Sequence, residues 1–466
     1  MNTWMLAARN LLRNRRRSVA TLLALAIGAA SILLFGGFRA YIEYSMLTGY
    51  VRAGGHLQVQ HRDFFLYGNG NPTAYGIADH PGLMQAILDD PVMKSMVTVV
   101  TPMLVFGGIA GNYDAGVSRT VFGTGLVPED ITRMRAWDEF LVRNPSPPFA
   151  LDGASDDAAI VGLGVARVLL LCADLGVRNC PQPQAVSQTS QAASLPPDIA
   201  ELAGSLGDVK TQRDTRRGAK IELLAGQSRG TPNVAALRVM TAEDQGFKEL
   251  DEVAVLVKFS QAKQLIFGKS PAKATALMVQ LDQTQHVEPA IERLTVLLAR
   301  FSPKQPLAVM DFKALNPFYV QTIDLFNMIF GFIFVLIGGI VLFTVSNTMN
   351  TAVVERTVEI GTLRAIGLRQ SGIRRLFITE GFLIGCIGAT TGCVVAVVLS
   401  SAINLAGLTW RPPGSSELLP LMLRVWGENA MMTGTTLGLI LIGTLSAWWP
   451  ARRASDLNIV DALRHA

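Results

Sequence analysis

The sequence predicts an α-helical membrane protein with four transmembrane helices and one large mixed α/β domain inserted between helices 1 and 2. Three observations carry this. Half of the 466 residues are hydrophobic and only 17% are charged, outside the usual balance of soluble domains, and the mean hydropathy is +0.34. Four uncharged stretches, Ser18 to Phe38, Leu325 to Val354, Gly381 to Trp410 and Asn429 to Ala451, account for the excess. Between the first two lie about 280 residues in which strand-like and helix-like patterns alternate.

Each uncharged stretch is long enough, at ~1.5 Å per residue, to cross a hydrocarbon core of ~30 Å. Each must be helical, because backbone groups in lipid have no other source of hydrogen bonds. The first follows a basic n-region, Arg9, Arg13, Arg15, Arg16 and Arg17. It exceeds a signal-peptide h-region in length and meets no small-x-small cleavage site before Arg39, so a retained anchor is expected.

Orientation is read from lysine and arginine. Residues 1 to 17 hold five basic and no acidic groups, the segment Glu355 to Arg375 holds five basic and two acidic, and the tail after Ala451 holds three and two. The loop Arg411 to Glu428 is balanced. The three basic segments are expected in the cytoplasm. Residues 39 to 324 carry 26 basic and 29 acidic side chains, which suits a translocated domain. The overall charge of +5 thus reflects topology and argues against a nucleic-acid partner. The expected layout is residues 1–17 cytoplasmic, 18–40 span one, 41–318 exterior domain, 319–354 span two, 355–375 cytoplasmic helix, 376–410 span three, 411–428 exterior loop, 429–451 span four and 452–466 cytoplasmic tail.

Cys172 and Cys180, with seven residues between them, lie in the translocated domain before Pro181 and Pro183, and a short disulfide is expected in an oxidising compartment. Cys386 and Cys393 fall on roughly one face of span three and read as small packing residues. In the exterior domain, His56 to His61 alternates as a strand, Pro81 to Val92 reads as a helix and Met96 to Gly107 as a second strand. Ala158 to Leu171 fits helix or buried strand, with helix preferred from Val161. Pro181 to Arg217 is poor in residues to bury and reads as a surface insertion. Val253 to Phe259 and Ala274 to Leu281 read as strands, His286 to Phe301 as an amphipathic helix, and Ser260 as the cap of a helix ending at Phe267.

Between spans two and three, Glu355 and Glu359 are four apart on one expected helix face. Leu363 and Ile366 continue it as an apolar strip that a soluble partner can grip. Gly367 is placed to end the helix and turn the chain back.

Enzyme motifs are lacking. Gly268-Lys269-Ser270 imitates the end of a phosphate-binding loop, but Lys263 stands where the first glycine belongs, and the triplet lies on the side away from ATP. His56 and His61, at odd spacing, point to opposite strand faces, so no shared metal site is expected. Asp89-Asp90 and Asp156-Asp157 read as turn and cap residues. Glu380, too costly for mid-bilayer, is expected near the interface, paired with Arg374 or Arg375.

The run Glu355-Arg356-x-x-Glu359-Ile-Gly-x-Leu363-Arg364-Ala-Ile366-Gly367 resembles the coupling-helix signature of FtsX-like ABC permeases, a family that includes MacB-type exporters and lipoprotein-releasing permeases. Similar matches are Ala8-Arg9-Asn10 through Arg17, Glu380-Gly381 opening span three, Trp449-Pro450-Ala451-Arg452-Arg453-Ala454, and Val460-Asp461-Ala462-Leu463-Arg464. Gly55 to His61 resembles the opening strand of a MacB-like periplasmic core. The insertion Pro181 to Arg217 departs from that pattern.

The resemblance implies a multi-pass protein of the bacterial inner membrane with a periplasmic domain, working as a homo- or heterodimer. Glu355, Arg356, Glu359, Leu363, Arg364, Ile366 and Gly367 would meet a cytoplasmic ATPase subunit that holds ATP and Mg, so this chain itself needs no cofactor or metal and has no catalytic residue. The Gly55 to His61 strand is closer to the lipoprotein-releasing branch. Efflux of small molecules or peptides with a periplasmic adaptor, and an FtsX-like scaffold controlling a cell-wall hydrolase, are the alternatives.

Overall fold

The computed structural model describes residues 3–13, 15–68, 70–142, 147–177, 180, 219–227, 230–246, 248–301, 305–410 and 419–457. The insertion Pro181 to Arg217 and the run Val460 to Arg464 lie outside them. The chain divides into two compact units, Met1–Leu47 with Pro317–Trp410 and Leu418–Ala466, and Thr48–Asn316 with Arg411–Glu417.

The first unit is helical. Four helices are long and apolar enough to cross a bilayer: Arg15–Gly54, Pro317–Glu355, Gln370–Ala406 and Asn429–Ser455. The last is interrupted between Ser446 and Trp448. All four run past the uncharged stretches at one or both ends, because a helix needs only backbone hydrogen bonds to continue into charged sequence beyond the apolar layer. Small residues let the helices approach closely. A Cβ on Gly392 would stand 2.5 Å from the Ala26 carbonyl oxygen, and one on Gly381 2.5 Å from Ala447 Cβ. Leu25, Ile32, Val345, Phe377 and Leu439 fill the interior.

The second unit is mixed α/β. Its strands are β1 (Leu57–His61), β2 (Val97–Asn112), β3 (Val117–Leu126), β4 (Ala158–Gly162), β5 (Lys220–Gly226), β6 (Pro232–Glu243), β7 (Ala254–Lys258), β8 (Ala276–Leu281) and β9 (Leu307–Asp311). They follow the order β3-β7-β4-β6-β5-β2-β8-β1-β9, and β3 also pairs with β2. Six strands therefore close a circuit, β3-β7-β4-β6-β5-β2, and β8, β1 and β9 extend from it. Pairs β3–β7 and β4–β6 are parallel, while the other pairs are antiparallel.

Strand β2 belongs to both parts. Val97 to Met103 pair with β8, and Leu104 to Asn112 pair with β3. The change of partner explains its 16 residues, more than the ordinary strand length of about 5–6. It also explains Gly108, whose Cβ would fall 2.7 Å from the Leu224 carbonyl oxygen of β5. Phe106, Val121, Leu223 and Val257 pack inside the closed part. Leu57, Leu277 and Val279 are covered by helices His80–Asp89 and Val287–Phe301, through Leu83, Ile87, Ala290 and Leu294.

Two sequence expectations change here. Ala158 to Gly162 is strand and only Leu163–Val168 is helix, because β4 lies between β6 and β7 with all five residues buried. A strand buried on both faces loses the alternation that would reveal it. The helix Phe259–Phe267 starts one residue before Ser260, with Lys258 at its N-cap and no side-chain cap. Cys172 and Cys180 are joined in a disulfide, their Cα atoms 6.2 Å apart. Asp90 accepts from the Val92 and Met93 amides and binds Arg293 through contacts of 2.5 to 3.0 Å. The Arg293 hydrogen bonds hold its pKa down at about 2.

His56, just before β1, is fully buried. Its Nδ1 accepts from the Leu281 amide at 3.0 Å, and its ring stands edge-on to Trp137 at 4.8 Å between centroids. Burial lowers its pKa to about 4, and burial lowers His80 as well. A histidine whose folded pKa lies below its unfolded value near 6.5 favours folding above 6.5, and that stability is lost as pH falls from there toward the folded value. The thermal midpoint of this unit in the full chain should therefore drop between pH 6.5 and 4, with His56 contributing about 3 kcal/mol. His56→Gln should flatten that part of the profile in a pH series of melting curves, and an unchanged profile would refute the assignment.

Candidate partner-docking segment between the second and third spans

The link between the second and third long helices is short. The helix Pro317–Glu355 ends at Glu355, a separate helix runs from Thr357 to Ala365, and the third long helix begins at Gln370. Arg356, between the first two, has φ −106° and ψ 16°, so Glu355 and Glu359 lie on separate helices and not on one continuous face. Gly367 has φ +105°, a conformation that a side chain strains and glycine permits. It sits at the reversal where the chain leaves the linker helix.

The break follows from a charge that must be satisfied. Glu380, on the third long helix, is 3% exposed. Arg356 Nη1 donates to its two carboxylate oxygens at 3.1 and 3.3 Å, and Asn10 Nδ2 donates at 2.5 Å. A buried carboxylate needs such partners, since desolvation otherwise costs several kcal/mol. Arg356 therefore turns inward and is unavailable as a docking residue. The expected pairing of Glu380 with Arg374 or Arg375 does not occur. Arg374 donates to Ser455 Oγ at 2.9 Å and pairs with Asp456 at 3.3 Å, because Glu380 is enclosed beside the N-terminal helix (Thr3–Arg13).

The two remaining acidic residues are also engaged. Arg17 grips Glu355 through two contacts of 2.5 and 2.6 Å, and Arg13 contacts the Glu359 carboxylate at 2.6 and 2.7 Å. Arg13 and Arg17 are four apart, as are Glu355 and Glu359, so the basic N-terminal segment matches the linker in register. The Arg13 hydrogen bond holds the Glu359 carboxyl below the ordinary carboxylate range.

The apolar strip divides in two. Ile360 is buried and Leu363 half-buried against the core of the membrane unit, and Arg364 donates to the Leu457 carbonyl. Ile366 is 80% exposed, and Val358 and Leu368 are 37% and 40% exposed. The outward surface is thus Val358, Thr362, Ile366 and Leu368. Sequence reasoning found Ile366 but missed Val358 and Leu368, and it missed Asn10, Arg13 and Arg17 as the residues that hold the linker. The matching four-residue spacing of arginines and glutamates was the available signal. A cleft of about 380 Å³ lies between the N-terminal helix and the linker, bounded by Leu6, Asn10, Arg13, Val358 and Thr362. No group of three or more metal-ligating side chains occurs among the described residues.

Residues 328–459, which include most of the second long helix, the linker and the last two long helices, match the family model described as FtsX-like permease C-terminal. That segment is therefore similar to the C-terminal part of FtsX-like permeases. Its relatives are ABC transporter permeases. They include a permease of Methanocaldococcus jannaschii, 23% identical over 49% of this chain and 54% of that protein. A macrolide export ATP-binding/permease protein MacB of Shewanella is 28% identical over 50% of this chain and 34% of that protein. The lipoprotein-releasing transmembrane protein LolC of Neisseria meningitidis is 25% identical, with 50% and 56% covered. The chain thus spans between about a third and somewhat over half of these relatives. The periplasmic region of MacB from Actinobacillus actinomycetemcomitans aligns over 59% of this chain and 95% of that one, with TM-score 0.31 and 13% identity.

The buried triad gives a direct test. Arg356→Ala should destabilise the membrane unit by about 3 kcal/mol, since it strands a buried carboxylate, and adding Glu380→Gln should recover most of that loss. The exposed pair Arg374–Asp456 should show a coupling of less than about 1 kcal/mol. Double-mutant cycles on thermal unfolding in detergent measure both, and equal couplings would refute the distinction.

Proposed function

We propose that this chain is the permease subunit of an ABC transporter, working as a dimer above cytoplasmic ATPase subunits. The observation that carries the reading is the linker helix. It is held by ion pairs and a buried face on one side and presents Ile366, Leu368 and Val358 bare on the other. Residues exposed for the lipid layer need no other explanation, but these three sit on a charged interhelical turn, where a soluble partner would cover them. The excess of arginine around the turn and at the N-terminus supports a cytoplasmic position for both.

ATP binding in the partner would displace the linker helix. Its ties to Arg13 and Arg17, and its continuity with the second and third spans, would pass that displacement to the spans and onward to the periplasmic domain. In this reading ATP hydrolysis belongs to the partner, which would carry the phosphate-binding loop. For cargo, release of lipoproteins toward the outer membrane is the reading we favour, supported by the LolC relationship, in which 56% of that protein is covered. Export of a small molecule, as the MacB name describes, is the competing reading, and copurification with an adaptor would favour it.

Ile366→Asp should lower recovery of the ATPase with the affinity-purified full chain by about tenfold, as loss of a central apolar anchor does at interfaces. Arg452→Gln, exposed and outside the linker surface, should leave recovery within about twofold. Mass spectrometry of the material purified from native membranes reads both, and equal recovery would overturn the docking assignment. Spin labels in the periplasmic domain of the reconstituted complex should change separation between nucleotide-free and ATP-trapped states; an unchanged distance would refute transmission.

A further inference from the structure

The basic N-terminal segment is only partly used by the linker. Of its five arginines, Arg13 and Arg17 are paired with Glu359 and Glu355. Arg9, Arg15 and Arg16 are exposed and make no ion pair among the described residues. Charges of one sign gathered at a membrane surface attract the opposite sign.

Beside them lies an apolar groove of about 440 Å³, walled by Leu11 and Leu12 of the N-terminal helix, Val19 and Leu22 of the first long helix, and Leu383 of the third, with Arg15 at its rim. Arg15, Val19 and Leu22 follow the i, i+4, i+7 spacing of one helix face. Arg16 lies three residues before Val19 and Arg9 three before Leu12, so both unpaired cations share a face with a groove residue. The groove differs from ordinary lipid-facing helix surface in being concave and in having at its edge Arg15, which has no carboxylate partner among the described residues, with Arg16 next to it in the chain.

We propose that this groove is a binding site for one anionic phospholipid, with an acyl chain along Leu11, Leu12, Val19 and Leu22 and the phosphate at Arg15 and Arg16. Charge complementarity selects the occupant. A zwitterionic lipid supplies the chain but no net charge for the arginines, and a soluble anion supplies the charge but leaves the groove bare. The placement in the inner leaflet rests on the permease reading, whereas the groove and its arginines do not.

Native mass spectrometry of the full chain purified in detergent tests the site. Dioleoyl phosphatidylglycerol and dioleoyl phosphatidylcholine, offered at equal concentration, should be retained with a preference of about tenfold for the glycerol headgroup. Arg15→Gln with Arg16→Gln should reduce that preference to within about twofold, and Ala8→Phe, which places a ring in the groove wall, should reduce retention of both lipids. Excess glycerophosphoglycerol should fail to displace the lipid. Equal retention of the two lipids by the unaltered chain, an undiminished preference in the double variant, or displacement by the soluble headgroup would each overturn the proposal. The comparison on the unaltered chain decides the matter even if a variant does not fold. Because binding is read in detergent without an ATPase, it is separable from the permease reading. Labelling of Met5→Cys from outside the cell would overturn the inner-leaflet placement alone.

Discussion

The membrane unit is organised around one carboxylate. Glu380 is nearly fully buried on the third long helix, and such a charge is tolerable only with close, well-directed donors. Arg356 supplies one from the junction after the second long helix, and Asn10 supplies the other from the N-terminal helix. Three chain segments far apart in sequence are thereby fixed at one point. The break at Arg356, the short linker helix and the reversal at Gly367 follow from the need to bring that guanidinium inward.

With Arg356 committed, the remaining charges of the linker arrange themselves on the same side. Arg13 and Arg17 take Glu359 and Glu355 in matching register, and Ile360 and Leu363 sink into the helical core. The outward side is left to small polar and apolar groups, with Ile366 standing furthest out. Charged residues in this turn thus position the surface, and apolar residues form it. The same allocation leaves Arg9, Arg15 and Arg16 without carboxylate partners among the described residues, with Arg15 at the edge of an apolar groove.

In the α/β unit the comparable constraint is β2, which serves two sets of partners along its length. Its first half joins β8 and its second half closes the circuit through β3, so the two hydrophobic clusters share one strand. Gly108 marks the crowded approach of β5. Buried polar side chains tie the unit further: Gln280 donates to the Val51 and Met134 carbonyls, and His56 accepts from Leu281.

The sequence by itself determined the helices of the bilayer, because twenty or so uncharged residues leave the backbone no alternative in lipid. It also determined the chemical character of the linker, since a charged turn with an apolar strip is readable from spacing alone, and strands such as β1 and β7 that alternate along their length. It left β4 open between helix and strand and did not disclose β3, β5, β6, β9 or the partner change in β2; the long-range pairing of β2 with β5 and β8 is set by which strands meet and by nothing local. Nor did it assign the ion pairs. Any of several arginines can neutralise a given glutamate on paper, and only the packing of the helices, which encloses Glu380 beside Asn10 and leaves Arg374 with Asp456, decided which charge met which.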